Sequence, residues 1–300
     1  MKAKRLVAVL TAVSLMAGLC GMAEPNADQK IKLEQNSTST PALGGKLLYD
    51  GYTLQWADDF NGSELNRDDW NIELHAPGWV NNELQAYVDS PENIYLENGS
   101  LVIKPIEQKN PDGTVSYTSG RVNTQNKHDF KYGIFEARIK VPEGQGFLPA
   151  FWMMPTNENL YGQWPRCGEI DIMEVLGNDT DKSYGTIHYG NPHSESQGSY
   201  QLTAGSFSEE YHNFAVEWEP GRISWYVDGC LIHTENDWYS ATEGQGEITY
   251  PAPFDQPFYL ILNLAVGGNW PGNPDETTDI ASAAPVSYTH LRAHETGAYL

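Results

Sequence analysis

Phe135-Glu136-Ala137-Arg138-Ile139-Lys140-Val141 sets apolar side chains at its odd positions and polar ones at its even positions. Successive side chains of an extended chain point to opposite faces, so a period of two predicts a β-strand with one buried and one solvated face. Runs bounded by Gly, Pro, Asn or Asp recur around it, at 52–60, 94–96, 100–105, 133–141, 148–154, 169–175, 184–189, 212–218, 222–227 and 258–266. Short strands at this spacing predict an all-β fold of two antiparallel sheets packed as a β-sandwich, a jelly roll.

Such sandwiches run to about 200 to 250 residues as one domain, so the chain needs only one large core. Its 9 Trp, 17 Tyr and 28 Gly fit short strands, many turns and an aromatic-rich surface or cleft. The formal net charge of -22 repels phosphate backbones and anionic lipid. That excludes nucleic-acid and membrane-surface partners and favours a neutral substrate, although acidity that merely keeps an exported protein soluble reads equally well.

Residues 1–23 carry the pattern of an export signal: Lys2, Lys4 and Arg5, an apolar run from Leu6 to Leu19, then small residues at Gly21 and Ala23. The run is too short to span a bilayer comfortably, so no membrane insertion is expected. A secreted or periplasmic protein follows. A lipid anchor on Cys20 fits less well, because Leu19 before it is bulkier than the small residue usual there. Residues 24–44 are polar, include Asn36-Ser37-Thr38-Ser39-Thr40-Pro41, and are expected to be a solvated linker. The domain then occupies 45–284 and is expected to be a monomer. Cys167 and Cys230 are too few for a disulfide framework and are open to pairing or to standing as separate buried thiols. Residues 285–300, containing Val286-Ser287-Tyr288-Thr289-His290-Leu291-Arg292-Ala293-His294-Glu295-Thr296, resemble a translated transposon sequencing adapter, so the genuine sequence is expected to stop near Ala284.

Gly168-Glu169-Ile170-Asp171-Ile172-Met173-Glu174 holds three acids in an otherwise apolar strand. Buried carboxylates are costly unless they are paired, hydrogen-bonded or lining a cleft, and catalysis explains their grouping. Glu169 and Asp171 share a face, whereas Glu174 lies out of phase, and a one-residue bulge would restore it. Two carboxyls about 5 Å apart suit double displacement on a sugar, one attacking the anomeric carbon while the other protonates the leaving oxygen. Asp171 could hydrogen-bond the nucleophile and, as a nearby negative charge, help keep the acid/base protonated. No cofactor is required for that chemistry.

Glu-Ile-Asp-Ile-Met-Glu, preceded by Trp164-Pro165 and Gly168, resembles the signature of glycoside hydrolase family 16, and the extra residue before Glu174 is similar to the laminarinase-type endo-β-1,3-glucanase branch. The likeness covers about residues 54–274 and includes Trp79-Val80-Asn81-Asn82-Glu83-Leu84-Gln85, Ser119-Gly120-Arg121, Phe147 to Trp152, Gly185-Thr186-Ile187-His188 and Asn263 to Trp270. It implies a concanavalin-like jelly roll with a substrate cleft across one concave sheet, acting on β-glucan. By resemblance, Glu169 is the nucleophile, Asp171 its electrostatic helper, Glu174 the acid/base, and Trp164 a support for the sugar at the cleavage point.

Trp79, Trp152, Trp164 and Trp270 fall in expected loops or strand ends, where flat rings stack on pyranose faces. Trp152 fits core packing equally well, and Trp218 and Trp225 are expected in the core. Asn81, Glu83, Arg121, His188 and Asn263 are candidates for sugar contacts, though Arg121 could simply neutralise nearby acid and a lone His is more often structural. Cys167 is expected to be a packed or cleft-edge thiol. The resemblance also implies a possible structural calcium between residues 59–62 and the final strand, which is expected to be missing, leaving an unpaired edge. Rivals are a non-catalytic β-glucan-binding protein, and an enzyme for mixed-linkage glucan or a galactan. Retention of both Glu169 and Glu174 argues against pure binding.

Overall fold

The computed structural model describes residues 51–240, 248–276, 278–280 and 285–296, together with two short pieces, Lys32–Leu33 and Leu47–Leu48. The expected export signal at 1–23 and Cys20 lie outside the described residues. Within the expected linker, Lys32–Leu33 pairs antiparallel with Leu47–Leu48. Among the described residues no helix is long and apolar enough to cross a membrane.

Two eight-stranded sheets make up the sandwich. The first runs in the order Ser194–Gln201, Lys182–Tyr189, Glu169–Glu174, Phe147–Pro155, Phe258–Val266, Arg121–Asn123 and Asn71–Ile72, with Asp129–Phe130 also on the Phe258–Val266 strand. The second runs Cys230–Glu235, Arg222–Val227, His212–Glu219, Gly133–Lys140, Val286–Thr296, Ser100–Ile103 and Ile94–Glu97, with Tyr52–Asp58 also on the Val286–Thr296 strand. Gln85–Tyr87, Val115–Ser119 and Ile106–Lys109 form a small separate sheet.

The odd residues of the opening motif, Phe135, Ala137 and Ile139, are fully buried in the core, which also takes Phe151, Ile170, Ile172, Val216, Trp225, Leu260 and Leu262. Glu136 on the polar face is buried as well, because Gly133–Lys140 is flanked on both sides by long strands. Trp218 and Trp225 are core residues as expected, and Trp225 donates its indole N–H to the Asp171 carbonyl at 2.7 Å. Gly185 makes room for that ring, since a Cβ there would lie 2.4 Å from it.

The segment that resembles a translated adapter forms a strand. Val286–Thr296 sits inside the second sheet, paired with Gly133–Lys140 on one side and with Ser100–Ile103 and Tyr52–Asp58 on the other. Val286 and Tyr288 point into the core, and after a register shift Leu291 and Ala293 do so too, all fully buried. The period-two pattern is enough to fill the slot. Cys167 is a free, buried thiol packed with Met154, Tyr259 and Ile261, so it forms no disulfide with Cys230.

The strands Arg121–Asn123, Ser194–Gln201 and Cys230–Glu235 did not stand out in the sequence. Ser194–Gln201 forms one edge of the first sheet and is nearly all polar, so it carries no hydrophobic alternation.

Candidate active site

Glu169–Glu174 lies between Phe147–Pro155 and Lys182–Tyr189. Trp152 is opposite Asp171 and Phe151 opposite Met173, so Ile172 is left without a partner, and the register with the other neighbour also shifts between Asp171 and Glu174. This is the bulge that the spacing of the acids requires. Ile170, Ile172 and Met173 enter the core between the sheets, while Glu169, Asp171 and Glu174 turn to the opposite face.

The cross-strand registers align that face in rows. Arg121, Asn263, Ala150, Glu174 and Tyr184 are successive partners in one row, and Asn123, Ile261, Trp152, Asp171 and Thr186 in the next. Glu169 pairs with His188, which pairs with Glu195. Directly opposed residues share a face, so residues from 121 to 263 converge on one surface.

Burial, then the neighbouring Asp171 charge, pushes both Glu169 and Glu174 above the ordinary carboxylate range. Two influences pull Glu169 back: the His188 charge and the Trp164 indole N–H, which donates to Glu169 Oε2 at 2.6 Å. His188 Nε2 faces Asp171 Oδ2 at 3.3 Å. Burial disfavours a charged His188, but the Asp171 contact and the three acid charges outweigh it and raise its pKa to about 9. Both acids are thus held above the ordinary carboxylate range, Glu169 to about 8, with the Trp164 N–H and the His188 charge opposing the rise at Glu169.

A second group gathers at the Arg121 end. The Arg121 guanidinium lies between the rings of Trp79 and Trp152, at 5.2 and 4.6 Å, and its Nε donates to Glu73 Oε2 at 2.8 Å. Arg121 is thus a buried partner of an acid, the neutralising reading. Burial raises Glu73, but the Arg121 charge and the bonds from Asn123, His75 and Arg121 hold it below the usual carboxylate range. Trp152 donates to Asn263 Oδ1 at 2.7 Å, and Asn263 in turn donates to the Tyr87 hydroxyl at 3.1 Å. Glu83 accepts from Gln85 at 2.6 Å, and its pKa is raised by burial. Asn81 has a left-handed φ of 49° in the turn before Glu83, where its carbonyl accepts from Asn269 at 2.9 Å.

Trp79, Trp164 and Trp270 are large exposed apolar side chains, at 49%, 47% and 42%, whereas Trp152 is partly buried over the small Cys167 cluster. Trp270 packs edge-on against Tyr184, 5.1 Å away. Every candidate from the sequence therefore lies on or beside this face. Glu73, His75, Tyr87, Asn123, Tyr184, His193 and Glu195 also belong to it but were not singled out. Glu73 and His75 stand two apart, and that spacing was the only local sign.

Beside the implied calcium position, Asp59 Oδ1 accepts from Arg292 of the strand Val286–Thr296 at 2.8 Å.

A two-sheet jelly roll with this carboxylate group and a rim of exposed tryptophans on one sheet face has the form of a polysaccharide-cleaving enzyme, a glycoside hydrolase. Residues 78–282 match the family model for glycosyl hydrolases family 16, and the chain belongs to that family. It is 40% identical over 242 residues to a glucan endo-1,3-beta-glucosidase of Cryptopygus antarcticus, covering 75% of this chain and 86% of that one. It is 37% identical over 287 residues to glucan endo-1,3-beta-glucosidase A1 of Niallia circulans, covering 89% of this chain but only 41% of that longer protein. The catalytic domain of an endo-1,3-beta-glucanase (laminarinase) from Thermotoga petrophila RKU-1 superposes with a TM-score of 0.68 at 39% identity, covering 82% of this chain and 98% of that one.

Proposed function

We propose that this protein hydrolyses β-glucan, with internal β-1,3-glucosidic bonds of a laminarin-like polysaccharide as its target, by a retaining double displacement. The observation that carries the reading is the bulge at Ile172, which returns Glu174 to the face of Glu169 and Asp171.

In the first step the Glu169 carboxylate attacks the anomeric carbon, and Glu174 gives its proton to the departing glycosidic oxygen. The Trp164 N–H and the His188 charge favour the ionised Glu169. In the second step Glu174, now ionised, takes a proton from water, which attacks the same carbon and releases Glu169. Asp171, held between the two acids, keeps the second proton on Glu174 by its charge. Trp79, Trp152, Trp164 and Trp270 supply flat faces for pyranose rings, Asn81, Glu83, His188 and Asn263 supply polar groups that orient hydroxyls, and Arg121 acts by neutralising Glu73. Residues 1–23 act as the export signal that delivers the enzyme to its polymer. A binding protein without catalysis has no use for two buried acids flanking a third on its sugar-facing surface.

The test is reducing-sugar release from laminarin, mixed-linkage β-glucan and agarose by the wild type, Glu169→Gln and Glu174→Gln, with the first-formed anomer read by proton NMR. Laminarin cleavage with a β-anomer first, lost in Glu169→Gln, is expected. Binding without release by the folded wild type would instead make the protein a glucan receptor.

A further inference from the structure

We propose that His188, His193 and Glu195 form a site for a divalent cation of the zinc class at the rim of the cleft. The site shares His188 and Asp171 with the catalytic face, but its test reads metal binding and not hydrolysis. The hairpin of Lys182–Tyr189 and Ser194–Gln201 sets His188 directly opposite Glu195, and the turn between them returns His193 to the same place. His188 Nδ1 lies 3.0 Å from His193 Nε2 and 3.5 Å from Glu195 Oε2, with all three donor atoms within 4.8 Å of one another. Zinc bonds of about 2.0 to 2.1 Å in a tetrahedron space the donors about 3.3 to 3.4 Å apart, so the hairpin already has nearly the required geometry.

A second observation concerns the outer partner of His188. Asp171 Oδ2 is buried and faces His188 Nε2 at 3.3 Å. A carboxylate behind one ring nitrogen holds the proton there and turns the lone pair of the other nitrogen outward, the arrangement that orients metal-binding imidazoles. Here that other nitrogen, Nδ1, points at His193 and Glu195, and the cation displaces the proton that otherwise sits among them. Two imidazoles and one carboxylate select zinc or copper over calcium, which wants six to eight oxygens. His193 and Glu195 are exposed, which leaves a path in and a fourth position for water. The formal charge of -22 concentrates cations around the molecule.

The experiment is equilibrium dialysis of the full chain against zinc sulfate, comparing wild type, His193→Ala and Glu195→Gln, each checked for folding by circular dichroism. The wild type is expected to hold one zinc equivalent that excess calcium does not displace, and each variant to bind at least about tenfold more weakly. Zinc bound equally by all three proteins, or by none, overturns the site. If a variant fails to fold, cobalt titration of the wild type decides. An intense visible band of four-coordinate cobalt supports the site, and only the weak spectrum of the hexaaquo ion overturns it.

Discussion

Trp164 and Glu169 are joined by a 2.6 Å hydrogen bond from the indole N–H to the carboxylate, made by an aromatic ring that is otherwise half open to solvent. A ring placed only to stack on sugar would not need to direct its one donor at an acid. The bond gives Trp164 two tasks, holding Glu169 in position and favouring its ionised form.

Replacing Trp164 by Phe keeps a flat ring and removes the donor. A hydrogen bond to a charged group contributes about 1.5 to 3 kcal/mol, so kcat/KM on laminarin should fall about 10- to 100-fold. Because the lost bond lowers the Glu169 pKa, the acid limb of the pH profile should move upward in the variant. An unmoved limb would mean that the indole serves only as a platform.

The pH dependence of the wild type follows from the same pair. Activity needs Glu169 ionised and Glu174 protonated, so kcat/KM should rise with pH as Glu169 loses its proton and fall as Glu174 does. Burial and the Asp171 charge raise both groups, so both limbs should lie above the ordinary carboxylate range. Glu174→Gln should abolish the alkaline limb together with most turnover. A substrate with a good leaving group, such as an aryl glucoside, should recover the first step, because it needs little protonation.

Glu73 and Arg121 form an ion pair whose side chains are only 15% and 8% exposed. Removing one partner of such a pair leaves an uncompensated buried charge, so Glu73→Ala should destabilise the fold by about 3 to 5 kcal/mol, measured as a drop in the urea midpoint. The folded pKa of Glu73 is depressed, so its stabilisation is complete above the ordinary carboxylate pKa and is lost as the pH falls towards the folded value. The difference between wild type and Glu73→Ala should therefore shrink in acid.

Removing residues 285–300 withdraws a strand from the middle of the second sheet. Gly133–Lys140 and Ser100–Ile103 would both lose their neighbour there. Unpaired edges of this kind recruit other chains, so the truncated protein should appear in the insoluble fraction and lack the cooperative melt of the full chain. A soluble, cooperatively melting truncation would show that the rest of the sandwich closes without that strand.

The strands with one apolar face were legible because a period of two reports burial directly, as at Phe135, Ala137 and Ile139. The catalytic strand was legible for a different reason: three acids in an apolar run demand both a cleft and a phase correction, and the correction appears as the bulge at Ile172. What the sequence determined by itself was therefore local, namely which residues extend, which faces are apolar and where acids are too concentrated to be packing. At the last strand the alternation of Val286, Tyr288, Leu291 and Ala293 suffices for pairing, although the segment resembles a translated adapter.

Only the tertiary structure decided which distant residues meet. Glu73 reaches Arg121 across 48 positions and Trp225 reaches the Asp171 carbonyl across 54. Such pairings depend on strand order and register, which set the partner of each residue through the whole sheet at once. No window of sequence contains that information, because the free energy that selects the register is shared among all the strands that bury the same core.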